Sequence, residues 1–207
     1  MRMPTIGTDL RPLHRVAVLR SVEAVDAVRA SDLDRPTPCA EWTLADLLAH
    51  MTVQHHGFAA AARGNGADEA VWKVETVADA VRADPVGTYA AAAHDVLDAF
   101  AADSVTESTF ALPEFGPDAT FPGALAIGFH FVDYAVHGWD VAAVLGAAYE
   151  LPDDVVAALL PLVMAIPDGD LRDSAASPFD RAVNGSAATD FEKVLAHLGR
   201  RPDWRQA

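Results

Sequence analysis

Apolar residues return at three- and four-residue steps over most of this chain, the spacing that places them on one face of a helix. In residues 9–30 the stripe is Val18, Val22, Val25 and Val28. Pro36 and Pro38 end the pattern, because proline has no amide proton and clashes with the preceding turn. A second helix is expected over residues 44–63. Thr43 caps it, Asp46 favours its positive end, and Trp42 can pack on Leu47 as a hydrophobic staple. Gly64-Asn65-Gly66 stops it.

Residues 69–83 read as a short helical stretch and 85–102 as a long alanine-rich helix opened by Pro85. Between 103 and 121 no helical period holds; a short hairpin is expected over 108–112. A connection this long is uncommon in a compact domain unless it covers a site or crosses a bundle end to end. Residues 122–145 form the fourth long helix, closed by Gly146. Shorter helices are expected at 152–165 and 189–198, with irregular chain at 174–186 and a polar tail at 200–207. The pattern predicts an all-α fold in one domain, residues 1–207: a four-helix bundle with a long crossover (core 9–146) and a C-terminal extension (147–207) carrying short helices.

Composition narrows the setting. The 207 residues carry 15 Lys+Arg against 30 Asp+Glu, a formal net charge of −15, and 51% are hydrophobic. That apolar content excludes a disordered chain. The acidity argues against nucleic acid and anionic membranes as partners, since no basic patch offsets it. Cys39 is the one cysteine, so an internal disulfide and a cysteine-based zinc site are both excluded. Residues 1–10 lack a signal-peptide pattern. No run reaches the roughly 18 apolar residues of a membrane span; the longest, 122–146, is interrupted by His130, Asp133, His137 and Asp140. The expected location is cytoplasmic.

Those interruptions are the candidate chemistry. At about 100° per residue, His130, Asp133 and His137 fall within a sector of about 60° of one helix. Asp133 and His137 stand one turn apart, a spacing that lets two side chains reach one ion. The second helix offers His50 and, one turn later, Gln54. The pair could equally be an ordinary helix-surface interaction worth a few tenths of a kcal/mol. A carboxylate in the most apolar helix of the chain nevertheless needs compensation, and a cation supplies it.

Three segments carry a resemblance. Thr37-Pro38-Cys39-Ala40-Glu41-Trp42-Thr43-Leu44-Ala45-Asp46-Leu47-Leu48-Ala49-His50 resembles the T-P-C-x-x-W-T-v-x-D-L-l-x-H segment of actinobacterial metal-binding proteins related to mycothiol-dependent maleylpyruvate isomerase, within the DinB/YfiT-like superfamily. Asp133-Tyr134-Ala135-Val136-His137-Gly138-Trp139-Asp140 is similar to that family's acid-x-x-x-His-x-W-D segment. The ending Leu195-Ala196-His197-Leu198-Gly199-Arg200-Arg201-Pro202-Asp203-Trp204 resembles its L-G-R-x-P-x-W tail. The resemblance implies a DinB/YfiT-like antiparallel four-helix bundle holding a divalent metal, zinc first and nickel second, through His50, Asp133 and His137. The acid is Asp where the isomerase has Glu, a departure that bears on affinity. Three protein ligands leave the ion an open position, as catalytic sites do.

The resemblance further implies mycothiol as a cofactor and a small-molecule electrophile as substrate, in thiol transfer or thiol-assisted isomerisation. Hydrolysis by metal-bound water would use the same geometry. A non-catalytic metal- or ligand-binding bundle, acting through a homodimer, is the third reading. Gln54 and His130 are expected to support the ligands or line the pocket; no catalytic residue is named. Trp139 and Asp140 are assigned to helix packing and a structural hydrogen bond. Cys39 is assigned to structure, having no evident base beside it. His55 and His56 are expected at the surface or its boundary, and His14, His94 and His197 have no constellation around them. Arg63, Arg172 and Arg181 are open as partners for a substrate carboxylate.

Overall fold

The computed structural model describes residues 9–39, 41–174, 177–185 and 187–205. Residues 1–8, 40, 175, 176, 186 and the end of the tail lie outside them, and with them most of the stretch on which the signal-peptide expectation rests. Four long helices dominate: α1 (Arg11–Val25), α2 (Leu44–Ala62), α4 (Pro85–Phe100) and α5 (Gly123–Leu145), with a short α3 (Ala78–Ala83) before α4. Strands β1 (Thr109–Ala111) and β2 (Thr120–Pro122) form a hairpin between α4 and α5; α6 (Asp153–Met164) and α7 (Asp190–His197) follow.

Local chemistry sets the ends. Thr43 and Asp46 cap each other's backbone N–H groups at the start of α2, satisfying two donors the helix leaves orphaned. Asp84 accepts from the Gly87 amide ahead of α4, whose first residue is Pro85. Gly146 closes α5 at φ 66°, a left-handed conformation that favours glycine. α1 stops at Val25, short of the expected residue 30, yet Val28 stays buried because its N–H turns back to the Val25 carbonyl. Residues 69–83 resolve into two 3-10 turns and α3, with Trp72 Nε1 donating to the Gly66 carbonyl. The hairpin is wider than expected: Phe110 pairs with Phe121. Its second strand carries too little local pattern to show in sequence.

α1 packs on α4 and α5, and α2 packs on the same two helices, which closes the ring of a four-helix bundle. One end of its interior is filled by Leu44, Leu47, Leu48 and Met51 with Tyr89 and Tyr134. The hairpin seals the other end, where Phe110 is buried with Phe58 and Phe100. α6 and α7 lie outside the ring: α6 packs Val155, Leu159 and Val163 against α1 and α5, and α7 packs on α6, with Val194 and Leu195 in the same apolar cluster. Each such side chain contributes about 1.5–3 kcal/mol when fully buried. Among the described residues no helix is long and apolar enough to cross a membrane.

Candidate metal centre

His50 of α2 meets Asp133 and His137 of α5 where the two helices pack. His137 Nε2 lies 3.2 Å from Asp133 Oδ1, and His50 Nε2 lies 3.9 Å from Asp133 Oδ2. One donor atom from each of the three sits within 4.8 Å of the others. A tetrahedral ion at ordinary zinc–nitrogen and zinc–oxygen lengths spaces its donors about 3.4 Å apart, so this nitrogen–oxygen–nitrogen set fits with small side-chain closure. His50 and Asp133 are about a quarter exposed and His137 is buried, so the set opens to solvent on one side. Trp42 packs at a tilt against His50, 4.8 Å between ring centroids, besides packing on the apolar interior as a staple would.

A second convergent set lies behind the first. Cys39 Sγ, His137 Nδ1 and Asp140 Oδ2 are buried together. A cation already occupies this place: Arg200 Nη2 is 3.2 Å from Cys39 Sγ and 3.3 Å from Asp140 Oδ2. A guanidinium there repels a metal ion, so of the two sets only the one containing His50 and Asp133 is free to accept one.

The rear set instead aims the front one. Asp140 Oδ2 lies 2.9 Å from His137 Nδ1 and accepts its proton, leaving Nε2 turned toward Asp133 and His50. Arg200 holds Asp140 and anchors itself through Nη1 on the Leu198 carbonyl. Asp140 thus makes the structural hydrogen bond expected of it, here to a candidate ligand, and the C-terminal tail completes the back of the centre. The proximity of Cys39 to His137, 3.9 Å, also corrects the expectation that no base is near. Burial, and then the charge of Asp140, push the Cys39 thiol up, with His137 and Arg200 opposing; Cys39 stays a thiol and donates to Asp140.

Charges in the front set follow from the same contacts. Burial alone would lower His137, but the charge of Asp133 and the hydrogen bonds the ring makes with Asp133, Asp140 and Cys39 raise it well above the ordinary histidine value. Burial favours protonating Asp133; His137, then His50 and Arg200, prevail and hold it below the usual carboxylate range. His50 is pushed down to about 4 by burial, against the pull of Asp133 and with added repulsion from His137 and Arg200. In the metal-free protein a proton on His137 therefore plays the part of the cation.

Gln54 stands one turn beyond His50, half-buried, and donates through Nε2 to Glu114 Oε2 at 3.0 Å. Glu114 lies in the 3-10 turn Pro113–Phe115 between the strands. Nothing in its sequence neighbourhood marks it beyond the length of the connection. His130 goes elsewhere. It is buried between His14 and His55, its Nδ1 2.8 Å from His14 Nε2 and its Nε2 3.1 Å from His55 Nδ1. His14 thus has a constellation after all, and His55 is interior, whereas His56 is exposed as expected. Burial holds all three linked rings neutral, His14 at about 3 and the others well below 6.5.

The three arginines left open are engaged inside the chain. Arg63 pairs with Asp95, and Arg181 with Asp170 and Asp173. Arg172 is buried and donates to the carbonyls of Ile166, Pro167, Asp180 and His197.

Residues 14–142 match the family model described as the mycothiol maleylpyruvate isomerase N-terminal domain. Two uncharacterized proteins of Mycobacterium tuberculosis, from strains CDC 1551 and H37Rv, are each 29% identical over 176 residues, covering 84% of this chain and 87% of theirs. Among solved structures, the mycothiol-dependent maleylpyruvate isomerase is similar with a TM-score of 0.56 at 13% identity, over 72% of this chain and 65% of that one. A histidine-to-alanine mutant of that isomerase gives 0.53 at 12% identity over the same shares. The chain thus spans less than two thirds of the isomerase's length, and at such identity the likeness carries the fold, a DinB-like helical fold.

Proposed function

We infer the function from one premise: this chain belongs to the mycothiol maleylpyruvate isomerase N-terminal domain family. We propose that it is a thiol-dependent enzyme of the isomerase or transferase type, in which His50, Asp133 and His137 hold one divalent ion, zinc first. Its thiol partner is mycothiol, and its substrate a small electrophile of the maleylpyruvate kind. When bound, the ion lowers the pKa of a thiol in its open position, so that a thiolate nucleophile exists at neutral pH.

The chain's own residues supply the rest. Asp140 keeps the proton of His137 on Nδ1 and so frees Nε2 for the front of the site. Arg200 keeps Asp140 charged and in place, since its guanidinium, after burial, is what lowers that carboxyl. Asp133 brings the negative charge that a divalent cation needs, and Trp42 limits the swing of the His50 ring. Cys39, protonated and held by Asp140 and Arg200, does not serve as the nucleophile; the reacting thiol comes from outside the chain.

The observation that carries the proposal is the convergence of three donors with one solvent-facing side, while an arginine fills the competing set. The test follows mycothiol and electrophile together, with protein purified without an affinity tag and a panel that includes maleylpyruvate. Turnover that requires mycothiol is expected, with the thiol either regenerated or transferred. Consumption of the electrophile at the same rate without thiol would overturn the proposal in favour of activated water.

A further inference from the structure

The β1–β2 connection is the part of the fold that the bundle itself does not require, and its tip rests on the two helices that carry the candidate ligands. Half-exposed Phe115 closes a cluster of three rings with Phe121 and Phe129. The centroid separations are 5.1 Å for Phe115–Phe121, 5.3 Å for Phe115–Phe129 and 5.2 Å for Phe121–Phe129. Phe129 precedes Asp133 by one turn of α5, and Gln54, which holds Glu114, follows His50 by one turn of α2. The tip is therefore pinned to both ligand-bearing helices, one turn from a ligand on each.

Gln54 engages Oε2 of Glu114, and among the described residues Oε1 makes no hydrogen bond. The side chain is reachable from solvent. Partial burial, and then the charge of Asp133, raise its carboxyl above the ordinary value, against the Gln54 hydrogen bond. A carboxyl whose protonated form is favoured in this way can take up a proton and return it. The other titratable groups at this mouth, His50 and Asp133, belong to the donor set itself.

Resting on the thiol-dependent function above, we propose that Glu114 is the catalytic acid–base of the site. The S–H bond of the incoming thiol breaks, sulfur keeps the electron pair, and the proton goes to Glu114 Oε1. The sulfur pair then forms a carbon–sulfur bond at an alkene carbon conjugated to a carbonyl. The displaced π pair ends on the carbonyl oxygen, which takes the proton from Glu114. After rotation about the former double bond the same transfers run backwards, releasing thiol and isomerised product with no oxidant or reductant consumed.

The test uses the full chain loaded with zinc, as wild type, Glu114→Gln and Glu114→Ala, with zinc content measured in each. Mycothiol is titrated calorimetrically at neutral pH in two buffers of different ionisation enthalpy, which counts the protons released to solvent. Wild type is expected to release fewer protons per thiol bound than either variant. Maleylpyruvate turnover should fall about a hundredfold in kcat for Glu114→Gln, with a small change in KM for mycothiol and partial recovery in Glu114→Asp. Equal proton counts in wild type and variants overturn the role of Glu114 and leave the thiol-dependent function standing. Wild type that holds zinc and binds no mycothiol overturns the function, and the role of Glu114 with it.

Discussion

Three histidines locked neutral in the interior should make the fold acid-labile well above the pH at which carboxylates titrate. His14, His55 and His130 are each at most 1% exposed and hydrogen-bond mainly to one another. Burial depresses all three, so below 6.5 the unfolded chain binds protons that the fold refuses. Stability is therefore complete above 6.5 and falls as pH drops, until His14 titrates within the fold at about 3. A histidine that stays neutral costs about 2 kcal/mol at about pH 5, and three cost about 6 kcal/mol. That is a large part of the 5–15 kcal/mol that typically separates folded from unfolded domains.

The other shifted groups do not mask the effect. His137, raised in the fold, contributes stability that is complete below 6.5 and lost only as pH rises through its folded value. Asp133 and Asp140 are depressed, so their contribution is lost only as pH falls below the ordinary carboxylate value of 3.8. His50, lowered to about 4, adds to the loss in metal-free protein. The assay is urea unfolding followed by far-ultraviolet circular dichroism between about pH 7.5 and about pH 5, with chelator present. A decline of several kcal/mol is expected, unchanged by His56→Ala at the exposed neighbouring ring. A loss below about 2 kcal/mol would refute the reasoning, because at least two of the rings would then be charged or hydrated in the fold.

Three further outcomes follow from the rear of the centre and from its proton. Asp140→Asn should weaken zinc binding about 10- to 100-fold in competition with a chromophoric chelator, since it frees the orientation of His137. Arg200→Ala removes one of the two cations beside buried Asp140 and should cost clearly more in urea unfolding than Arg201→Ala, which sits at an exposed ion pair and should cost less than about 1 kcal/mol. Because His137 carries a proton in the metal-free protein, zinc affinity should fall as pH is lowered, with protons released on binding. Affinity independent of pH between about 6 and 8 would contradict the assignment of that proton.

What sequence could show was local. The Thr43–Asp46 box lies within one turn and was readable with the boundaries of α2. The i and i+4 spacing of Asp133 and His137 is likewise a property of one helix, and the resemblance supplied His50 from another. Contacts that join distant segments left no such trace. Arg200 reaches Asp140 across 60 residues and Cys39 across 161, so neither the aiming of His137 nor the occupant of the rear set could be read. His130 was grouped with Asp133 by helical angle alone. It stands at the edge of that sector, and His14 and His55 from the facing helices claim it. Glu114 meets Gln54 across 60 residues from the turn of a hairpin whose second strand is three residues long, too short to show in sequence.

The most direct measurement is the metal content of untagged protein, by elemental analysis, in wild type, His50→Ala, His137→Ala and Cys39→Ala, each checked for helical content. The donor geometry predicts about one zinc or similar divalent ion per chain in wild type and in Cys39→Ala, and close to none in the two histidine variants. Equal metal in all four proteins, or loss confined to Cys39→Ala, would contradict a centre built from His50, Asp133 and His137.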